Sequence, residues 1–152
     1  MIPAKDSKAP DFSLPDETGR IHELSQYLGK PVILYFYPKD DTPGCTVEAC
    51  SFRDNYHAFK KAGAVVLGVS PDTVRSHAKF KEKHNLSFPL LADEKHAVCE
   101  MYGVWGRKKF LGKEYDGVFR TTFVIDPDGR IKKVFENVKP TEHAKEVLEA
   151  IQ

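Results

Sequence analysis

The segment Val32-Ile-Leu-Tyr-Phe-Tyr-Pro-Lys-Asp-Asp-Thr-Pro-Gly-Cys-Thr-Val-Glu-Ala-Cys50 decides how the chain is built. Its first six residues are apolar or aromatic, rich in β-formers, and bracketed by Pro31 and Pro38. A short continuous run of this kind predicts a strand buried on both faces, hence one near the centre of a sheet. After the polar loop from Lys39 to Pro43, the residues Val47, Cys50, Phe52, Tyr56 and Phe59 recur at spacings that approximate one apolar face of a helix. The spacing predicts a helix over residues 44–61, with Pro43 suited to its first turn and Gly63 just past its end.

Outward from this unit the pattern repeats. Residues 64–70 read as a second buried strand, and Ser70-Pro-Asp72 opens a helix through about Lys83. Phe88 to Ala92 is a short strand candidate, followed by a helix near residues 94–102. Residues 120–126 and 131–135 flank Pro127-Asp-Gly-Arg130, which predicts a hairpin, and Thr141 is expected to cap a last helix to Ile151. The first thirty residues, punctuated by Pro3, Pro10, Pro15, Gly19 and Gly29, suit short extended pieces, with one helical turn from Leu24 to Leu28. The stretch from Gly103 to Phe119 reads as the one long irregular loop; its Trp105, Phe110 and Tyr115 either line a pocket mouth or pack as an ordinary loop. Two strand and helix units followed by a hairpin and a helix predict an α/β three-layer sandwich, a central mixed sheet flanked by helices.

Composition narrows the function classes. At 152 residues the expectation is a single domain over residues 1–152, without room for a second catalytic module. With 41% hydrophobic and 30% charged residues, the chain is too apolar for disorder. The 23 basic and 22 acidic residues nearly cancel, so no charge footprint calls for nucleic acid or an anionic membrane. There is no apolar run of bilayer length, and the start lacks the apolar stretch of a signal peptide, so the expected location is cytoplasmic. Three cysteines do not make the framework of a disulfide-stapled secreted protein, which turns attention to thiol chemistry.

Cys45 is predicted in the first turn of a helix, just after the loop that leaves a buried strand. Unpaired backbone N–H groups and the positive end of the helix dipole favour a thiolate at such a position. The bland alternative is a buried structural cysteine behaving as a small hydrophobe. Cys50 follows five residues later, where an intact helix holds the two Cα atoms about 8.6 Å apart. A disulfide needs less than about 7 Å, so either the helix opens when the pair bonds, or Cys50 is simply core and faces the sheet with Val47. Cys99 reads as a packing residue, with an alternative resolving thiol as the lesser reading. His22, His57, His77, His84, His96 and His143 have no metal-ligand spacing and are expected to be solvated; no metal and no cofactor is expected.

Pro38, Thr42 and Cys45 reproduce the Pro-x-x-x-Thr/Ser-x-x-Cys signature of the peroxiredoxins. From Ala9-Pro-Asp-Phe-Ser-Leu14 through Arg120-Thr-Thr-Phe-Val-Ile-Asp126 the chain resembles the peroxiredoxin Q branch, also called bacterioferritin comigratory protein. The resemblance implies a thioredoxin-like fold and a thiol peroxidase that reduces hydrogen peroxide and organic hydroperoxides, recycled by thioredoxin. It implies that Cys45 is the peroxidatic cysteine, becoming a sulfenic acid, and Cys50 the resolving one, giving an intramolecular disulfide. It further implies that Thr42 bonds thiolate and peroxide, Pro38 shields the pocket, and Arg120 stabilises the thiolate and orients the peroxide. Backbone N–H groups near Gly44 and Cys45 are expected to face the substrate oxygens, and the resemblance favours a monomer. Two rival readings are a thiol-disulfide oxidoreductase, against which stands the missing Cys-x-x-Cys, and a non-catalytic redox-signalling or chaperone module.

Overall fold

Val32–Phe36 is buried at every position and occupies the middle of a five-stranded sheet. The computed structural model describes residues 1–151. In chain order the strands are β1 (Ser13–Pro15), β2 (Ile21–Glu23), β3 (Val32–Phe36), β4 (Val65–Ser70), β5 (Leu90–Ala92), β6 (Trp105–Phe110), β7 (Lys113–Val118), β8 (Thr121–Ile125) and β9 (Ile131–Phe135). The helices are α1 (Pro43–Asp54), α2 (Tyr56–Lys61), α3 (Val74–His84), α4 (Ala97–Met101) and α5 (His143–Ile151), with a 3-10 turn over Leu24–Tyr27. The central sheet runs β5-β4-β3-β8-β9. Within it β3, β4 and β5 are parallel, while β8 and β9 join antiparallel.

Alternation along β3 divides the core in two, because successive side chains of a strand point to opposite faces. Ile33 and Tyr35, with Tyr37 just beyond the strand, pack with Cys45, Ala49 and Phe52 of α1, Phe59 of α2, Phe80 of α3 and Val147 of α5. Val32, Leu34 and Phe36 pack on the other face with Phe12, Leu24 and the α4 residues Val98 and Cys99. The three-layer arrangement follows from a strand that is apolar on both sides.

Five expectations need correction. The helix over residues 44–61 is broken at Asn55, whose backbone (φ −104°, ψ 5°) leaves the helical region. Its buried face is Cys45, Glu48, Ala49 and Phe52, whereas Val47 is 46% exposed and Cys50 is partly exposed, so Cys50 does not face the sheet with Val47. The last helix begins at His143, two residues beyond the expected Thr141 cap. The supposed long loop is the antiparallel hairpin β6–β7, closed by Leu111 and Gly112, both at positive φ (52° and 79°). Positive φ at both central residues is what a tight two-residue hairpin turn requires. Three of the histidines expected in solvent are instead buried and hydrogen-bonded: His22 to Asp16, His77 to Asp40, and His143 to Thr122.

Candidate active site

The connection from β3 to α1 carries Pro38 and Thr42, and Thr42 stands at the N-cap of α1 with Pro43 as the first helical residue. Proline suits that position because its fixed φ is helical and its missing N–H would have no intrahelical partner. The N–H groups of Gly44 and Cys45 fall in the same first turn, where no carbonyl four residues back can pair with them inside the helix. Cys45 is 1% exposed and carries a free thiol, as do Cys50 and Cys99.

Arg120 immediately precedes β8, the strand paired with β3, and reaches this turn from beside it. Its Nη2 donates to Cys45 Sγ at 3.2 Å and its Nη1 to Glu48 Oε1 at 2.7 Å. Gly44 makes room for this approach: a Cβ there would stand 3.2 Å from Arg120 Nη2, tighter than ordinary contact. Burial opposes the Arg120 charge, but Glu48 and Cys45 outweigh it and hold the guanidinium above its ordinary value. The cation is therefore fixed beside the sulfur.

Glu48 is the functional-site residue that the sequence reading missed. It is fully buried one turn after Cys45, and burial raises its carboxyl to about 7 against the pull of Arg120. Its Oε2 has no hydrogen-bond partner among the described residues, and neither does the hydroxyl of Tyr35. The available signal was a glutamate at i+3 from Cys45 on a helix face that also holds Ala49 and Phe52.

Of the expected site residues, the structure brings Gly44, Cys45 and Arg120 together. Pro38 is half-buried in the same connection. The Thr42 hydroxyl donates to Lys39 O at 2.9 Å, which turns its proton away from Cys45 and leaves the oxygen as an acceptor. Cys50 sits beside a surface cavity bounded by Val47, Ser51, Thr141 and Lys145. Cys99 lies in the opposite half of the core; burial and the neighbouring Asp93 carboxylate push its thiol far above the ordinary value. Of the three aromatic residues in the 103–119 stretch, Trp105 stacks on His96 at 3.9 Å between ring centroids, while Phe110 and Tyr115 are exposed.

One group among the described residues, Asp40, Asp72 and His77, brings potential metal-ligating atoms within 4.8 Å of one another. Asp72 Oδ2 already accepts the Asp40 N–H and the Ser70 hydroxyl, and His77 Nδ1 meets the Asp40 carboxyl, which makes the cluster a structural network.

The chain that carries this cysteine and arginine is similar over most of its length to known proteins. The AhpC/TSA family profile matches residues 6–134. The chain belongs to that family. It is 51% identical over 145 residues to Peroxiredoxin Bcp of Bacillus subtilis, covering 95% of this chain and 92% of that protein. Among solved structures it is similar to the bacterioferritin comigratory protein of Xanthomonas campestris (TM-score 0.87, 38% identity, 92% of this chain and 89% of that one), which was studied for alkyl peroxide reduction. A cysteine-to-serine variant of PrxQ from Xylella fastidiosa superposes at TM-score 0.91 with 34% identity, covering 96% and 93% of the two chains. Within the AhpC/TSA family the chain is therefore a peroxiredoxin of the Bcp or Q branch, a thiol-dependent peroxidase with a peroxide substrate and a thiol reductant.

Proposed function

We propose that Cys45 is the peroxidatic cysteine of this peroxidase and Cys50 its resolving partner, with thioredoxin as the reductant and hydrogen peroxide and organic hydroperoxides, alkyl hydroperoxides among them, as substrates. The observation that carries this reading is the Arg120 guanidinium 3.2 Å from Cys45 Sγ. A fixed cation favours the thiolate, and the thiolate is the attacking species. It attacks one peroxide oxygen, the O–O bond breaks, and the departing alkoxide takes a proton and leaves as alcohol or water. Cys45 is left as sulfenic acid. Thr42 Oγ is free to accept the hydroperoxide O–H, while Arg120 and the N–H groups of Gly44 and Cys45 stabilise charge on the separating oxygens. Pro38 shields the sulfur from bulk water.

The Cys50 thiol then attacks the sulfenic sulfur, releasing water and forming the disulfide. Both cysteines belong to α1, so the intact helix keeps their Cα atoms about 8.6 Å apart and its first turns open at this step. A dithiol reductant restores the two thiols. We read the chain as one domain over residues 1–152 that works as a cytoplasmic monomer without a cofactor, a metal, nucleic acid or a membrane as partner; no helix among the described residues is long and apolar enough to cross a membrane.

The test is peroxide turnover with thioredoxin and its reductase. The parent is expected to cycle, and Cys50→Ser to react once and then stall. Reduction of insulin disulfides without peroxide consumption would favour the thiol-disulfide oxidoreductase instead.

A further inference from the structure

Asp40 lies in the connection that carries Pro38 and Thr42, two residues from each, and it is 7% exposed. Three side chains converge on its carboxylate. Tyr37 donates its hydroxyl to Oδ1 at 2.6 Å, Ser76 of α3 donates to Oδ2 at 2.8 Å, and His77 Nδ1 stands 2.7 Å from Oδ2. The other ring nitrogen of His77 faces the Leu91 carbonyl at 2.9 Å. A carbonyl oxygen only accepts, so Nε2 donates, and Nδ1 is left facing the Asp40 carboxyl. The side chains of His77 and Asp40 are 0% and 3% exposed. Burial pushes the Tyr37 phenol well above its ordinary value, so it remains a neutral donor.

The backbone is tied down as well. The Asp40 N–H donates to Asp72 Oδ2 at 2.8 Å, an atom that also accepts the Ser70 hydroxyl at 2.6 Å. Asp41 follows at φ 57°, in the left-handed region that aspartate enters more readily than most residues. Its carboxylate meets Lys83 at the far end of α3 at 2.8 Å. Among the described residues no hydrogen bond joins this cluster to Cys45, so the cluster acts on the loop and not on the sulfur. A buried polar network whose members are hydrogen-bonded rigidifies the segment it holds.

We propose that Asp40, hydrogen-bonded to His77, is a positioning residue for the peroxidase reaction: it locks residues 38–42, the connection that carries Pro38 and Thr42 to the start of α1, in the geometry that peroxide attack needs. The inference rests on the reading of Cys45 as the attacking sulfur. A small alkylating agent needs only an accessible thiolate, but a peroxide must also be held in line with it. The two reactions therefore separate loop geometry from sulfur chemistry.

The experiment compares stopped-flow oxidation of Cys45 by hydrogen peroxide with its alkylation by iodoacetamide in the parent, Asp40→Asn, His77→Asn and His77→Gln. Asp40→Asn is expected to lower the peroxide rate about tenfold or more while alkylation changes less than about twofold. His77→Asn keeps an amide where Nδ1 meets Asp40 and should stay within about threefold of the parent, whereas His77→Gln reaches toward Leu91 and should fall with Asp40→Asn. A peroxide rate unchanged in Asp40→Asn, equal loss in both reactions, or equal loss in the two His77 variants would overturn the proposal. Should Asp40→Asn fail to fold, the His77 pair decides by the same ratio. A parent that does not react with peroxide through Cys45 would overturn the functional reading and this inference together; a reactive parent with an unaffected Asp40→Asn removes this inference alone.

Discussion

Cys45 and Cys99 are equally hidden from solvent, at 1% and 0% exposure, yet they lie on opposite faces of one sheet among opposite charges. Cys45 occupies the first turn of a twelve-residue helix and receives a guanidinium N–H. Cys99 belongs to the five-residue α4, and the nearest charge is the Asp93 carboxylate, which accepts the Cys99 backbone N–H at 2.8 Å. A cation favours the thiolate and an anion opposes it, so burial alone does not set a thiol's reactivity. What faces the sulfur does.

The contrast breaks most completely at its centre. Cys45→Ser is expected to abolish peroxide turnover, a loss of at least about 10³-fold, with the fold retained, because a serine hydroxyl is scarcely ionised. Circular dichroism with a peroxide-consumption assay checks both halves of that statement. Removing the charge and keeping the sulfur is the next largest step. Arg120→Met should slow sulfenic acid formation by about 10²-fold, in the range found when one preorganised donor is removed from a reaction centre. It should also slow iodoacetamide alkylation, unlike Asp40→Asn.

Glu48 sharpens the comparison through pH. Its carboxyl is raised from 4.5 to about 7, so the native state binds more protons than the unfolded one between those values. Stability therefore falls as pH rises from about 4.5 to about 7 on account of this group. Glu48→Gln cannot ionise, and its urea midpoints measured across that window should lack this part of the fall. The smallest effect is expected on the other face. Cys99→Ala should leave the peroxide rate unchanged and lower stability by only about 1 kcal/mol, measured by urea unfolding.

Legibility in the sequence followed the reach of each interaction. The strands at β3, β4 and β8 announce themselves as apolar runs, and the Thr-Pro-Gly-Cys start of α1 is local chemistry. The β6–β7 hairpin escaped because its Arg107-Lys108-Lys109 run is not apolar and its turn uses Leu111 where asparagine or aspartate is usual. Glu48 escaped because a carboxylate in a buried helix face makes sense only with Arg120, which the sequence holds 72 residues away. Separation along the chain also hid His77, whose acid partner Asp40 lies 37 residues upstream. Charged groups in a core are legible only once their partners are in place.

The most direct test of the account is to map the thiols after one equivalent of hydrogen peroxide. The reduced parent is oxidised anaerobically, remaining thiols are alkylated, and peptides are read by mass spectrometry. The account predicts a Cys45–Cys50 disulfide with Cys99 alkylated as a free thiol. A disulfide that contains Cys99, or a Cys45 recovered as free thiol while Cys99 is oxidised, would contradict it.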